Sequence, residues 1–179
     1  MAVSIAFIRG INVGGKNKLP MKELREHMEE AGFSNVQTYI QSGNMVFSHG
    51  RDTAPALARS IAKLIEDRQG FNPSVVVLAR EALQAAADGN PFADEENLEK
   101  TLHLYFMNAP PTAPDTKKMD SIKAPTESYT LQGKVFYLHT PDGFGKSKLA
   151  ARVEKLLGVD ATARNWRTVN AVLAMATEY

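Results

Sequence analysis

The chain has 179 residues, of which 44% are hydrophobic and 23% charged, the profile of a globular protein of one ordinary domain or two small ones. It has no cysteine, which excludes disulfides, thiolate nucleophiles and cysteine-ligated metals. Its net charge of +1 provides no global pull toward nucleic acid or membrane, and no run reaches the ~18 apolar residues of a membrane span.

The N-terminus lacks a basic region followed by a long apolar stretch, so the expected location is the cytoplasm, with no membrane partner. Val3 to Ile8 reads as a strand that ends at Arg9-Gly10. Pro20 opens a helix with Met21, Leu24, Met28 and Ala31 at helical spacing, stopped by Gly32. Val36 to Ile40 is a strand, Ser42-Gly43-Asn44 is turn chemistry, and Met45 to Phe47 starts the partner strand of a hairpin. Asp52, Thr53 and Pro55 announce a helix with Leu57, Ile61, Leu64 and Ile65 inward, ended by Gly70, and Val75 to Leu78 is a fourth strand. The order is β-α-β-β-α-β, a ferredoxin-like unit.

An Ala-rich helix from Arg80 to Ala87 and a polar connector through Asp94 to Glu99 come next. The pattern then restarts. Leu102 to Met107 is a strand and Ala113 to Ile122 a helix. Tyr129 to Leu131 and Val135 to Leu138 flank the turn at Gln132-Gly133. Ser147 to Leu157 is a helix stopped by Gly158, Ala161 to Arg164 a short strand, and Val169, Val172, Leu173 and Ala176 mark a final helix. The expected fold is therefore α+β, an architectural duplication of two ferredoxin-like subdomains at 1–79 and 101–179, joined by a connector at 80–100, with an added C-terminal helix in the second half. Each half is small for a single core, and both faces of the first sheet are apolar: Val3, Ile5 and Phe7 on one side, Ala6 and Ile8 on the other. Two closely packed lobes are expected.

Four strings across this pattern (RGINVGG, KNKLPMKELR, YIQSGNMVF and ATARNWRTV) closely resemble the bacterial domain-of-unknown-function family numbered 1697, from residue 5 to about residue 175. The resemblance implies two ferredoxin-like subdomains and brings no activity, cofactor or catalytic residue with it.

The residues themselves point to an anion. Gly10 to Asn17 is a glycine loop with a lysine between strand and helix. It approaches the phosphate-binding pattern G-x-x-x-x-G-K-[ST], with Asn17 where the magnesium-holding hydroxyl would stand. Thr140 to Ser147 is a second near miss, lacking the first glycine. Backbone amides and a lysine at a helix entrance favour an anion. Candidate ligand-binding residues are Arg9, Asn12, Gly14, Gly15 and Lys16, with Gln41, Ser42 and Asn44 of the hairpin turn, which this topology places at the same end of the sheet. A third group, Arg164, Asn165 and Trp166, combines an anion-pairing arginine with a stacking ring. The bland readings are a tight turn at Gly14-Gly15, a hairpin at Ser42 to Asn44, and a helix cap at Asn165 with Trp166 as an anchor. The expected partner is a phosphate-bearing small molecule or nucleotide.

Two other classes stay open. One is a structural or protein-interaction module. The other is RNA binding, because RNA-recognition domains share this topology and stack bases on sheet aromatics; His103, Tyr105, Tyr137 and His139 would supply that face. The four histidines show no metal-ligand spacing, no G-x-S-x-G string occurs, and no metal site is expected.

Overall fold

The computed structural model describes residues 1–50 and 52–179. Two compact units form, one of Met1–Ala85 with Asn170–Tyr179, the other of Ala86–Val169.

The first unit contains β1 (Ala2–Ile8), α1 (Met21–Glu30), β2 (Ser34–Tyr39), β3 (Asn44–His49), α2 (Ala54–Gln69), β4 (Val75–Ala79) and most of α3 (Arg80–Asp88). Its sheet is antiparallel throughout, in the order β2-β3-β1-β4. Both long helices begin and end where their sequences direct. Pro20 stands at the N-cap position of α1, where its carbonyl accepts from the Leu24 amide, the Thr53 hydroxyl accepts from the Ala56 amide at the start of α2, and Gly70 closes α2 in the left-handed conformation. The apolar stripes Met21, Leu24 and Met28 of α1, and Leu57, Ile61 and Ile65 of α2, cover the sheet face that carries Ala6, Ile8, Met45, Phe47 and Val77. Each of these side chains other than Ala6 contributes about 1.5–3 kcal/mol by leaving water. Ile5, Phe7 and Val46, on the opposite face, are buried too. Tyr179 belongs to this unit, and its hydroxyl donates to the carbonyls of Asn35 and Val46.

The second unit repeats the plan with α4 (Leu98–Thr101), β5 (Leu102–Met107), α5 (Thr116–Ile122), β6 (Ser128–Gln132), β7 (Val135–His139), α6 (Val153–Leu157), β8 (Ala161–Asn165) and the start of α7 (Trp166–Thr177). Its sheet order, β6-β7-β5-β8, matches the first position for position. The α+β fold of two β-α-β-β-α-β subdomains expected from the sequence is the fold observed. Met119, Leu149, Val153, Leu156 and Leu157 pack on Tyr105, Met107, Phe136 and Leu138. Among the described residues, no helix is long and apolar enough to cross a membrane.

Two local expectations need correction. The helix expected from Ser147 is regular only from Val153; residues 148–152 form turns, with the Arg152 amide bonded to the Leu149 carbonyl at 2.8 Å. The Ala150 carbonyl accepts from the Tyr105 hydroxyl at 3.2 Å, which ties this segment to β5. The aromatic face is also different. Tyr137 stands opposite Leu104, and His139 opposite Leu102, in the β5–β7 register. Side chains alternate along a strand, so Tyr137 and His139 lie on the face away from His103 and Tyr105. No open aromatic platform results, because Tyr105 and Tyr137 are both buried.

The Tyr137 hydroxyl donates to the Ala86 carbonyl at 2.7 Å inside the second unit. Tyr137→Phe leaves that carbonyl without its donor and should cost about 1–2 kcal/mol, read as a lower midpoint in chemical denaturation with an unchanged slope.

Candidate functional site

The glycine loop between β1 and α1 is held chiefly by asparagines. Asn12 and Asn17 both occupy the left-handed region, at φ 54° and 49°, which asparagine tolerates better than most residues. The Asn12 amide donates to the Asn17 carbonyl at 3.1 Å, and Asn17 Nδ2 donates to the Gly10 carbonyl at 3.1 Å. The Asn12 side chain brackets Leu19 by accepting from its amide and donating to its carbonyl, both at 2.8 Å. Ile11 and Leu19 are consequently buried, while the stretch between Val13 and Lys18 stays outside. At its tip, Gly14 and Gly15 take φ 59° and 72°, and the Lys16 amide closes the turn on the Val13 carbonyl at 3.0 Å.

The same Asn12 side chain also donates to the Gln41 carbonyl at 2.7 Å. This contact joins the glycine loop to the β2–β3 hairpin, so the convergence expected from the topology is present. The hairpin is firmly built. Asn44 is fully buried, and its Nδ2 donates to the Tyr39 carbonyl at 3.1 Å and to Ser42 Oγ at 3.0 Å. The Gly43 carbonyl accepts from the Ile8 amide at 2.8 Å, seating the turn on the end of β1.

Arg9, Gly14, Gly15, Lys16 and Gln41 are exposed and Ser42 is half-buried. Asn12 and Asn44 spend their side chains on internal bonds, so they position the loops. The loop departs from a phosphate-binding P-loop in geometry as well as in sequence. Helix α1 begins at Met21, five positions beyond Lys16, and the Lys16 amide is bonded within the turn. Its amides therefore do not converge on the α1 dipole.

The third candidate group lies in the second unit. Asn165 Oδ1 accepts from the Thr168 amide at 2.8 Å and caps α7, as its residue type implied. Trp166 is half-buried. Arg164 is buried, donating to Thr162 Oγ1 at 2.7 Å and to the Ala163 carbonyl at 2.8 Å. Burial lowers its pKa to about 10, which still leaves it charged at neutral pH. Arg167 forms an exposed ion pair with Glu99 at 3.1 Å.

Sequence reasoning passed over two residues at the joined loops. Val13 and Ile40 are 63% and 53% exposed, the largest exposures of bulky apolar side chains apart from Met1. Each is the chain neighbour of one end of the Asn12–Gln41 bond. Ile40 also adopts φ 48°, an outlier for a β-branched residue. Apolar residues embedded in turn-forming strings were the available signal.

Among the described residues, no three His, Asp or Glu side chains gather as a metal site requires. No curated protein matches the chain. A solved structure of a conserved bacterial protein from Streptococcus pneumoniae is similar at 26% identity and a TM-score of 0.72, covering 98% of both chains. The family model described as a protein of unknown function, DUF1697, matches residues 1–137, which takes in both joined loops, the first two strands of the second unit and the start of the third. With that span and the duplicated fold, the chain belongs to the DUF1697 family.

Proposed function

We propose that this protein binds a ligand bearing a phosphate or other anionic group at the joined loops of its first unit. The observation that carries this reading is the Asn12–Gln41 bond. It unites two segments, residues 9–20 and 40–44, that contain Arg9, Lys16 and Lys18 and not one Asp or Glu. All three cations are exposed, so an anion is met by positive charge without a competing carboxylate from either segment. Arg9 and Lys16 supply charge. The Gly14-Gly15 turn allows close approach to backbone, Gln41 and Ser42 offer neutral polar groups, and Asn12 and Asn44 hold the two loops in register.

Thermal-shift measurement with ATP, a sugar phosphate and pyrophosphate tests this. A ligand held at about 100 times its dissociation constant should stabilise the protein by ~2.7 kcal/mol. Lys16→Ala and Arg9→Ala should remove the shift and leave the ligand-free melting temperature nearly unchanged, since both side chains are exposed. A wild-type protein indifferent to every anion would refute the reading.

The exposure of Val13 and Ile40 favours a second reading, a protein-interaction surface at the same loops. In that case Val13→Asp would abolish capture of a partner that Lys16→Ala still retains.

A further inference from the structure

The opposite end of the first sheet holds a polar pair unrelated to the glycine loop. Ser4 lies on β1 and His49 ends β3, 45 residues later. Antiparallel pairing sets Ala2 opposite His49 and Ser4 opposite Phe47, which makes Ser4 and His49 diagonal neighbours on one face. Ser4 Oγ and His49 Nε2 are 2.9 Å apart, and both residues are buried.

Stability does not account for the pair. Farther along the same face stand Ala6, Met45 and Phe47, all members of the apolar core. His49 packs beside Phe47 with ring centroids 5.9 Å apart. Its Nδ1 is buried and has no hydrogen-bond partner among the described residues. A half-satisfied polar pair at the margin of an apolar layer is less stable than an apolar one. Such departures from packing logic concentrate at sites that do chemistry.

The pair also has access to space. A cleft of about 450 Å³ is lined by Ser4, His49, Asp52, Ala54, Arg80 and Tyr179, a volume in the range of small-molecule sites, ~300–1,000 Å³. One wall is the first turn of α2, a 16-residue helix. There Thr53 accepts from the Ala56 and Leu57 amides, and Pro55 has no N–H. Ala54 is left as the first-turn donor that Thr53 does not serve. An amide at the positive end of a helix dipole is suited to a developing oxyanion.

We infer that Ser4 and His49 are the nucleophile and general base of an acyl-transfer site whose substrates are short-chain carboxylic esters. In the tautomer with Nε2 as acceptor, the Ser4 hydroxyl donates to it and Nδ1 carries the ring proton. Ser4 Oγ bonds to the ester carbonyl carbon as its proton passes to His49 Nε2. The bond from carbon to the alcohol oxygen breaks, and the alcohol leaves with that proton. Water then gives a proton to Nε2 as its oxygen attacks the acyl-serine carbon. The carbon–Oγ bond breaks, Oγ recovers the proton, and the carboxylic acid is released.

An alkyl fluorophosphonate tests the site directly, since an activated serine displaces its fluoride and retains the phosphonyl group. Native protein should gain a single adduct that peptide mass mapping assigns to Ser4, and heat-denatured protein should gain none. His49→Gln should slow labelling by about 100-fold or more. Hydrolysis of p-nitrophenyl acetate should be lost in Ser4→Ala. The adduct is mapped on the wild-type chain, so the result stands even if a variant folds poorly. Absence of an adduct, an adduct on another residue, or a His49→Gln variant labelled at the wild-type rate would each overturn the assignment.

Discussion

Gly43→Ala should destabilise the first unit by about 3 kcal/mol, more than any other glycine substitution in the two joined loops. Two effects add there. Gly43 has φ 80°, where a side chain costs roughly 1–2 kcal/mol. An added Cβ would also lie 2.9 Å from both the Cβ and the carbonyl oxygen of Ile8, and 3.0 Å from Ile11 Cδ1. The backbone cannot back away cheaply, because the Gly43 carbonyl is bonded to the Ile8 amide. Overpacking of this kind adds about 1–3 kcal/mol. Gly15 is the internal control. Its φ of 72° is similar, but nothing lies within 4 Å of where an added Cβ would stand, so Gly15→Ala should lose only about 1 kcal/mol. Urea denaturation of the two variants separates the steric part from the conformational part. Equal midpoints would show that the hairpin does not press on β1 as described.

Acid should weaken the second unit through His103. Its ring stacks on Phe144, with centroids 3.7 Å apart and planes 18° from parallel, and its buried Nδ1 has no hydrogen-bond partner among the described residues. Burial lowers its pKa from 6.5 to about 4. Between those values the unfolded chain binds a proton that the folded chain refuses. The contribution is therefore fully present above pH 6.5, falls as pH drops, and is lost by about pH 4. A shift of that size corresponds to about 3 kcal/mol. Carboxylates also titrate near the lower end of the window, so the measurement is a difference. Denaturation midpoints of wild type and His103→Leu, taken at pH 7, 5 and 4, should diverge because the variant lacks this loss. Parallel curves would show that His103 accepts its proton while folded.

Most of the fold was legible because the signals that define it are local. The stripe Met21, Leu24 and Met28 is a helical face wherever it packs, and Gly70 ends α2 through its own backbone freedom. The helix expected from Ser147 failed for the complementary reason: Ala150 meets a hydroxyl from β5, a partner 45 residues away in the chain. The aromatic face failed on strand register. Alternation within β5 groups His103 with Tyr105, but only the pairing of β5 with β7 decides which β7 residues join them.

The candidate site divides along the same line. Its glycines, cations and turn residues could be read directly, and so could the cap at Asn165, because each acts through its own or adjacent backbone. The duty of Asn12 could not be read. A lone asparagine in a glycine loop is equally suited to a ligand or a turn, and its bond to Gln41 crosses 29 residues. Ser4 and His49 were less visible still, since neither belongs to a motif and 45 residues separate them. Residue chemistry over a few positions dictates the order and type of the elements, the turns and the lack of Asp and Glu within residues 9–20 and 40–44, so all of these could be read from the chain alone. Which side chains meet is settled by folding. An antiparallel register is set by burying whole faces of a sheet, and a shift of one residue would turn Ser4 and His49 to different sides.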